Sequence, residues 1–267
     1  MRSFIAGCKL AVFAVLCVFI IIVQGAFVLL YKGPASYIMP RLWHNCVRMT
    51  FGIKYRIEGT PYTDSQTLYM SNHMSYLDIE VIGSVLKASF VAKAEVESWP
   101  LFGLLCKLQQ TAFISRSRVD AAKETNALET TLNEGKSLII FPEGTSTDGK
   151  SVLPFKSSLF SIAYIGDNKD MVVQPITVQL ETVDGHAIET QDDRDLYAWH
   201  VDMTTELPDH LWRFAKTSGA TVVLKFHPPI KASDINDRKI LAKLCYEQVS
   251  KGLESTPALT QEQTQAA

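Results

Sequence analysis

The sequence predicts an α/β fold, in which helices flank a sheet, preceded by an N-terminal membrane helix. Near the start of the chain, a charge-free apolar run has the length of roughly 20 residues that a membrane-spanning helix needs. From about residue 61 to residue 250, short apolar runs rich in β-branched and aromatic residues alternate with helical patterns, as in α/β domains. The chain has 267 residues, 47% of them hydrophobic, which is enough for one sizeable domain and a short appendage.

The apolar run extends from Ala11 to Leu30 and contains one strongly polar side chain, Gln24. A cleaved signal peptide is the alternative, because Arg2 and Lys9 precede the run and small residues lie within its second half. A signal peptide turns polar after its cleavage point, whereas this run stays apolar to its end. Residues 1–32 are therefore expected to form a retained membrane anchor.

Residues 33–60 are predicted to form an interfacial amphipathic helix and a linker. The stretch from Tyr37 to Phe51 mixes aliphatic, aromatic and basic side chains, which suits a helix lying at a membrane surface. An ordinary surface helix of the following domain is the alternative. Positive charges after the apolar run outnumber those before it, which favours a domain on the cytoplasmic face of the cell inner membrane.

The α/β domain is predicted over residues 61–253, and the polar stretch 254–267 is expected to be a disordered tail. The candidate strands are Thr67–Ser71, Ser89–Lys93, Thr111–Ser115, Ser137–Phe141, Met171–Val178 and Thr221–Phe226. The candidate helices are Leu77–Leu86, Trp99–Leu108, Asp120–Asn133, Ser157–Ile165 and Ile235–Leu253. Loops at the ends of such strands can carry reactive groups on a rigid scaffold.

Composition and motif content argue against several functional classes. Lys and Arg total 26 and Asp and Glu total 28, so a net charge of −2 gives no electrostatic case for binding nucleic acid. The five cysteines are scattered without metal-ligand spacing, and no metal site is expected. The chain lacks a P-loop, a GxGxxG turn and an HExxH helix. A hydrolase elbow fails because Asp148 stands where its last glycine belongs.

The segment NHMSYLD, residues 72–78, follows the predicted strand TLYMS and contains the first candidate pair. One continuous helix would point His73 and Asp78 apart, because five positions rotate by roughly 140° net. The two side chains meet if His73 lies in the loop and Asp78 in the first helical turn, with Ser75 as a cap. A carboxylate bound to one ring nitrogen leaves the other nitrogen as a general base. A capping Asp beside an unrelated His is the alternative.

Two further motifs follow predicted strands. FPEGTS supplies the carboxylate of Glu143, the permissive backbone of Gly144 and the hydroxyl of Thr145, a combination typical of a binding turn. An ordinary strand exit with Pro and Gly is the alternative. TAFISRSR ends a strand with two cations, of which Arg116 suits bidentate binding of a phosphate. Lys93 ends another predicted strand, and taken alone it is best read as solvated.

In this order, NHMSYLD, FISR, FPEGT and VQPI resemble the four sequence blocks of the glycerolipid acyltransferase family, typified by lysophosphatidate acyltransferases. The blocks cover roughly residues 72–176. The resemblance implies a mixed sheet flanked by helices and a membrane enzyme without a cofactor. The implied enzyme would move a fatty acyl group from acyl-CoA or acyl carrier protein to the hydroxyl of lysophosphatidate, giving phosphatidate. It implies His73 and Asp78 as the catalytic pair. The residues expected at the substrates are Asn72, Lys93, Arg116, Glu143, Gly144, Thr145 and Pro175.

Two departures from the family pattern concern the acceptor. Gln110 stands where a Gly often opens the second block, and Ser146 stands where an Arg often follows the Thr of the third. The segments Asp195–Trp199 and Met203–Trp212 also look like bacterial members, some of which acylate lyso-ornithine lipid. That lipid is the alternative acceptor. A non-catalytic lipid-binding module is the alternative of a different class.

Overall fold

The computed structural model describes residues 1–30, 33–114, 128–165 and 171–254. The helices are α1 (Arg2–Leu30), α2 (Ile38–Phe51), α3 (Leu77–Val85), α4 (Phe102–Leu108), α5 (described over 128–133), α6 (Gln191–Arg194), α7 (Leu207–Ala215) and α8 (Arg238–Glu254). The strands are β1 (Ile53–Glu58), β2 (Thr67–Ser71), β3 (Ser89–Lys93), β4 (Ala112–Ile114), β5 (Leu138–Ile140), β6 (Val172–Val183), β7 (His186–Ala187), β8 (Ala220–Phe226) and β9 (Ile230–Lys231). Short 3-10 helices span Gly33–Tyr37, Ala94–Ser98, Ser157–Tyr164 and Ala232–Asp234.

Within the described residues, the strands form one mixed sheet of nine strands. Its main order is β1-β8-β6-β2-β5-β3-β4, and the short strands β7 and β9 pair with β6. The β6 and β8 strands are antiparallel, whereas every other pair along the main order is parallel. The predicted α/β fold with a mixed sheet is confirmed.

The central strands are apolar because helices cover both faces of the sheet. All residues of β2 and β5 are buried, as expected of parallel strands packed on two sides. Leu68 and Met70 on β2 point into a core that includes α8, while Tyr69 points into a core formed with α2, α3 and α7. Successive side chains alternate between the two cores, as strand geometry requires.

Helix α1 is long and apolar enough to cross a membrane, and one of its faces packs on the α/β domain. Near its start, Arg2 donates to Asp184 at 2.9 Å, and the Lys9 ammonium donates to the Thr217 carbonyl at 2.9 Å. Near its end, Gln24 is fully buried. Large apolar side chains on the helix are exposed, among them Phe4, Val12, Val15, Val18, Phe19, Ile22, Leu29 and Leu30.

The structure corrects the predicted start of the α/β domain at residue 61. Strand β1 pairs in parallel with β8, so the sheet begins at Ile53. The outward side chains of IKYRIE are mainly charged, and this edge strand therefore looked like a linker. The predicted α-helix from Ser157 is a 3-10 helix, and the sequence did not predict α6 or α7. Residues 128–133 of the helix expected at Asp120–Asn133 are helical, while its beginning and the tail after residue 254 lie outside the described residues.

Candidate active site

The neighbouring parallel strands β2, β5, β3 and β4 present their carboxyl ends at one edge of the sheet. The β2 strand leads to His73, β5 leads to Glu143, and β3 ends at Lys93. The β4 strand ends at Ile114, and Arg116 lies outside the described residues. The fold therefore places the first and third motifs at a common edge, as the sequence predicted.

The loop after β2 brings His73 and Asp78 together. Helix α3 begins at Leu77, so Asp78 lies in its first turn while His73 remains in the loop. The Nδ1 atom of His73 lies 2.9 Å from Oδ2 of Asp78. This is the geometry that the spacing of the two residues required. The predicted cap at Ser75 is off by one residue, because Tyr76 precedes the helix and makes no side-chain cap, while the Ser75 hydroxyl accepts the N–H of Leu77 at 3.3 Å.

The buried carboxylate of Asp78 accepts hydrogen bonds on both oxygens. Besides the His73 ring, the backbone N–H groups of Met74 and Ser75 donate to Oδ2 at 2.7 and 2.9 Å. The Tyr197 hydroxyl donates to Oδ1 at 3.0 Å. Burial and the charge of Asp78 hold the pKa of Tyr197 well above its ordinary value, so this hydroxyl remains a donor. These donors stabilise a carboxylate that can orient an imidazole ring.

The His73 ring is fixed on one face and at one nitrogen. It stacks on Phe141, with ring centroids 4.0 Å apart and planes inclined by 17°. Since Nδ1 is bound to Asp78, Nε2 is the nitrogen that remains for a reacting group, and no described residue forms a hydrogen bond with it. The side chain of His73 is 19% exposed, so the ring is reachable from outside.

Glu143 fastens the His73 loop to the loop after β5. Its Oε1 accepts the backbone N–H of His73 at 2.8 Å, and its Oε2 accepts that of Leu153 at 2.7 Å. Burial raises the pKa of Glu143 to about 7, against the lowering effect of these two hydrogen bonds. Because both oxygens bind backbone groups, Glu143 is placed to hold the loop. A direct contact with substrate stays a prediction.

Gly144 and Thr145 form the turn that follows Glu143. Gly144 has a φ of +71°, and a Cβ atom there would lie 2.2 Å from the Lys156 ammonium nitrogen. Its N–H donates to the Phe141 carbonyl at 3.0 Å and closes the turn. Only glycine adopts this backbone conformation without strain. Binding of substrate by Gly144 or Thr145 stays a prediction.

Asn72 and Pro175 lie deeper in the sheet than the catalytic candidates. The amide of Asn72 bridges to β6, where it donates to the Val178 carbonyl at 2.8 Å and accepts the Val178 N–H at 2.7 Å. Pro175 lies in the middle of β6, buried and paired with Met70 of β2. Asn72 therefore joins the end of β2 to β6, Pro175 packs inside the sheet, and contacts of either residue with substrate stay predictions.

A family model described as Acyltransferase matches residues 52–179. The lyso-ornithine lipid O-acyltransferase of Brucella abortus is 33% identical over 222 residues, which cover 81% of this chain and 82% of the relative. The chain belongs to the acyltransferase family. The lyso-ornithine lipid O-acyltransferase of Rhodobacter capsulatus is 37% identical to this acyltransferase. The aligned part covers 81% of this chain and 75% of the relative.

Relatives named for a different acceptor are also similar to this acyltransferase. The 1-acyl-sn-glycerol-3-phosphate acyltransferase of Neisseria meningitidis is 32% identical, over 71% of this chain and 70% of the relative. The crystal structure of the 1-acyl-sn-glycerophosphate acyltransferase from Thermotoga maritima aligns with a TM-score of 0.67 at 21% identity, covering 95% of this chain and 97% of that one. At that identity the similarity supports the fold.

Sequence reasoning missed two side chains that fix the catalytic candidates of this acyltransferase. Tyr197 lies 119 positions after Asp78, and in the sequence it belongs only to a segment that resembles bacterial members. Phe141 is the first residue of its motif, and no sequence pattern shows that it stacks on His73. Among the described residues, no group of three or more His, Cys, Asp or Glu side chains is arranged to hold a metal ion.

Proposed function

We propose that this acyltransferase moves a fatty acyl group from a thioester to the hydroxyl of a lysolipid, with His73 as general base. The observation that carries the proposal is the bond from His73 Nδ1 to Asp78, which directs Nε2 to the acceptor. Nε2 takes the proton as the hydroxyl oxygen attacks the thioester carbonyl. The new ester bond forms, the carbon–sulfur bond breaks, and His73 returns the proton to the departing thiolate. Asp78 stabilises the imidazolium between these steps.

Lyso-ornithine lipid is the acceptor that the observations favour. The relatives from Brucella abortus and Rhodobacter capsulatus carry that activity in their names and cover most of this chain. The third motif also has Ser146 where, by the family resemblance, an Arg often follows the Thr. Ornithine lipid lacks the phosphate that such an Arg would bind. Lysophosphatidate, the acceptor expected from the family resemblance, is the second candidate and is supported by the Neisseria relative.

The acyl donor is acyl-CoA or acyl carrier protein, and the reaction as written needs no cofactor. Both donors carry the acyl group as a thioester, whose sulfur is a better leaving group than an ester oxygen. Because these donors are cytosolic, the catalytic edge is proposed to face the cytoplasm at the inner membrane.

The membrane is proposed to contact the exposed apolar side chains of α1. Polar contacts to the α/β domain begin at Arg2 and Lys9 and end at Gln24, so most of the helix follows the surface of the domain. If a helix held in this way crossed the bilayer, the domain surface attached to it would also lie in the bilayer. We therefore place α1 along the membrane surface, with its apolar side chains among the acyl chains. Exposed Ile38, Leu42 and Met49 on α2 would reach the same interface.

The test is acyl transfer by purified, detergent-solubilised enzyme from labelled acyl-CoA and acyl carrier protein. Lyso-ornithine lipid and lysophosphatidate are offered side by side. We expect ornithine lipid as the main product and no turnover by His73→Ala. His186→Ala, which removes an exposed histidine on β7, is the matched control and should keep its activity. Selective formation of phosphatidate would change the acceptor and keep the mechanism.

Two outcomes would contradict the proposal. Activity retained by His73→Ala would remove the general base from the mechanism. Lipid binding by the folded enzyme without transfer to either acceptor would favour a binding module.

A further inference from the structure

We infer that Tyr197 is a positioning residue that fixes the Asp78 carboxylate for its work on His73, an inference that rests on the proposed function. The bond from the Tyr197 hydroxyl to Oδ1 of Asp78 measures 3.0 Å. Tyr197 has no exposed surface, so it does not touch substrate. Its effect on the reaction must therefore pass through Asp78.

The two oxygens of Asp78 accept hydrogen bonds from different parts of the chain. Oδ2 receives the His73 ring and the N–H groups of Met74 and Ser75, all from the loop of residues 72–76, here called the catalytic loop. Oδ1 receives Tyr197, and Asp78 is fully buried. Removing the Tyr197 hydroxyl would leave Oδ1 without this donor in a dry site, which costs free energy and frees the carboxylate to rotate.

Tyr197 is itself held by packing and by the backbone. Its ring meets Phe214 of α7 edge to face, with centroids 6.1 Å apart. Two residues later, the N–H of Trp199 donates to the Met74 carbonyl at 2.9 Å, within the catalytic loop. The ring of Tyr197 is therefore fixed relative to the loop that carries His73.

A second bond ties the same segment to the end of that loop. The Tyr76 hydroxyl lies 3.0 Å from Nδ1 of His210, and Nε2 of His210 lies 3.2 Å from the Asp195 carbonyl. Burial lowers the pKa of His210 to about 4, so the ring is neutral at physiological pH. Nε2–H then donates to the carbonyl, and Nδ1 accepts from Tyr76. Residues 191–215 thus contact this loop at Met74 and Tyr76 and the following helix at Asp78.

The hydrogen bond from Tyr197 also draws negative charge toward Oδ1. Without it, the charge is concentrated on Oδ2, where it stabilises the protonated His73 ring more strongly. The enzyme would then lose its base at a higher pH. Among the described residues, the other titratable groups that act on Asp78 and Tyr197 are Glu143, Tyr76 and Glu80, and the substitution of Tyr197 leaves their side chains in place.

The test is the pH profile of kcat/KM for full-length enzyme carrying Tyr197→Phe. We expect kcat to fall about tenfold, as for loss of one hydrogen bond to a charged group. The acid limb should move to higher pH, and KM for the acceptor should stay within about twofold of wild type, because Tyr197 does not contact substrate. Tyr37→Phe is the matched control: it removes another buried hydroxyl, 2.6 Å from Ser89 Oγ, and should leave the acid limb in place.

A second variant keeps the test open if Tyr197→Phe does not fold. Tyr197→3-fluorotyrosine retains the hydroxyl and makes it a stronger donor, so the acid limb should move to lower pH. An acid limb unchanged in both Tyr197 variants would overturn the inference, even if their melting temperatures fell. Loss of turnover in His73→Ala beside a wild-type profile for Tyr197→Phe would reject the inference alone. An active His73→Ala would reject the proposed function.

Discussion

Replacing Glu143 with Gln separates two opposing effects at the centre of the site. The carboxyl of Glu143 accepts one backbone N–H on each oxygen, at 2.8 and 2.7 Å, and is 3% exposed. Glutamine keeps the size but has one acceptor oxygen, so its amide NH₂ faces one of the two N–H groups. A buried donor left without an acceptor costs about 1–3 kcal/mol of folding free energy.

The ionisation of Glu143 lowers the free energy of unfolding of the wild type, which favours the glutamine variant by comparison. Burial raises its pKa from 4.5 to about 7, so the folded state binds this proton more tightly than the unfolded state. The stability that the neutral carboxyl contributes is complete below pH 4.5 and is lost as the pH rises through about 7. At 1.36 kcal/mol per pKa unit, the loss amounts to about 3 kcal/mol. Because glutamine does not titrate, the free energy of unfolding of Glu143→Gln does not fall in this way as the pH rises.

The free energy of unfolding of Glu143→Gln should therefore lie about 2 kcal/mol below wild type at pH 5 and close to wild type at pH 8. Denaturant titrations followed by tryptophan fluorescence in detergent measure both values. Glu181→Gln, which removes a carboxylate bound to Arg56 outside the site, is the control and should show no such convergence. A gap that widens with rising pH would refute the reasoning, because the fold would then depend on the anion.

Three further substitutions test the surroundings. Gly144→Ala should destabilise the enzyme by about 1 kcal/mol, because alanine is strained at a φ of +71° and must displace the Lys156 ammonium; thermal melting measures this. Asn72→Ala leaves the N–H and carbonyl of Val178 unpaired, so we expect the free energy of unfolding to fall by about 2–4 kcal/mol. The KM for the acceptor should not change. A raised KM in a stable variant would mean that Asn72 binds substrate. Gln24→Leu should release the end of α1, and limited proteolysis should then cut the N-terminus faster while the protein stays in the membrane fraction.

The placement of the candidate pair was predictable from local rules. His73 and Asp78 stand five positions apart, and helix geometry allows them to meet only across a loop-to-helix junction. The structure has that junction, with α3 starting at Leu77. Glu143 lies at the same edge because neighbouring parallel strands end on one side of a sheet. Local patterns therefore predicted where the pair and its neighbour lie, whereas their roles at the substrates rest on the resemblance of the four motifs to a family.

The parts that failed depend on distant contacts. Strand β1 exposes Lys54, Arg56 and Glu58, and only its pairing with β8, more than 160 positions away, shows that it belongs to the sheet. Tyr197 likewise has no local pattern that points to Asp78. These contacts join residues that are far apart in the sequence and depend on the packing of the whole domain. No short stretch of the sequence therefore shows them.

The two buried carboxyl groups at this edge differ in the number of donors they receive, and from this difference we propose different roles for them. Asp78 receives donors on both oxygens, including the His73 ring, so it can hold a negative charge beside an imidazolium. Glu143 receives two, and burial brings its pKa to about 7. Were Glu143 fully charged at neutral pH, it would repel an anionic acceptor approaching His73. Held partly neutral with both oxygens on the backbone, it keeps the loop in place and leaves the approach open to a phosphate or a carboxylate headgroup.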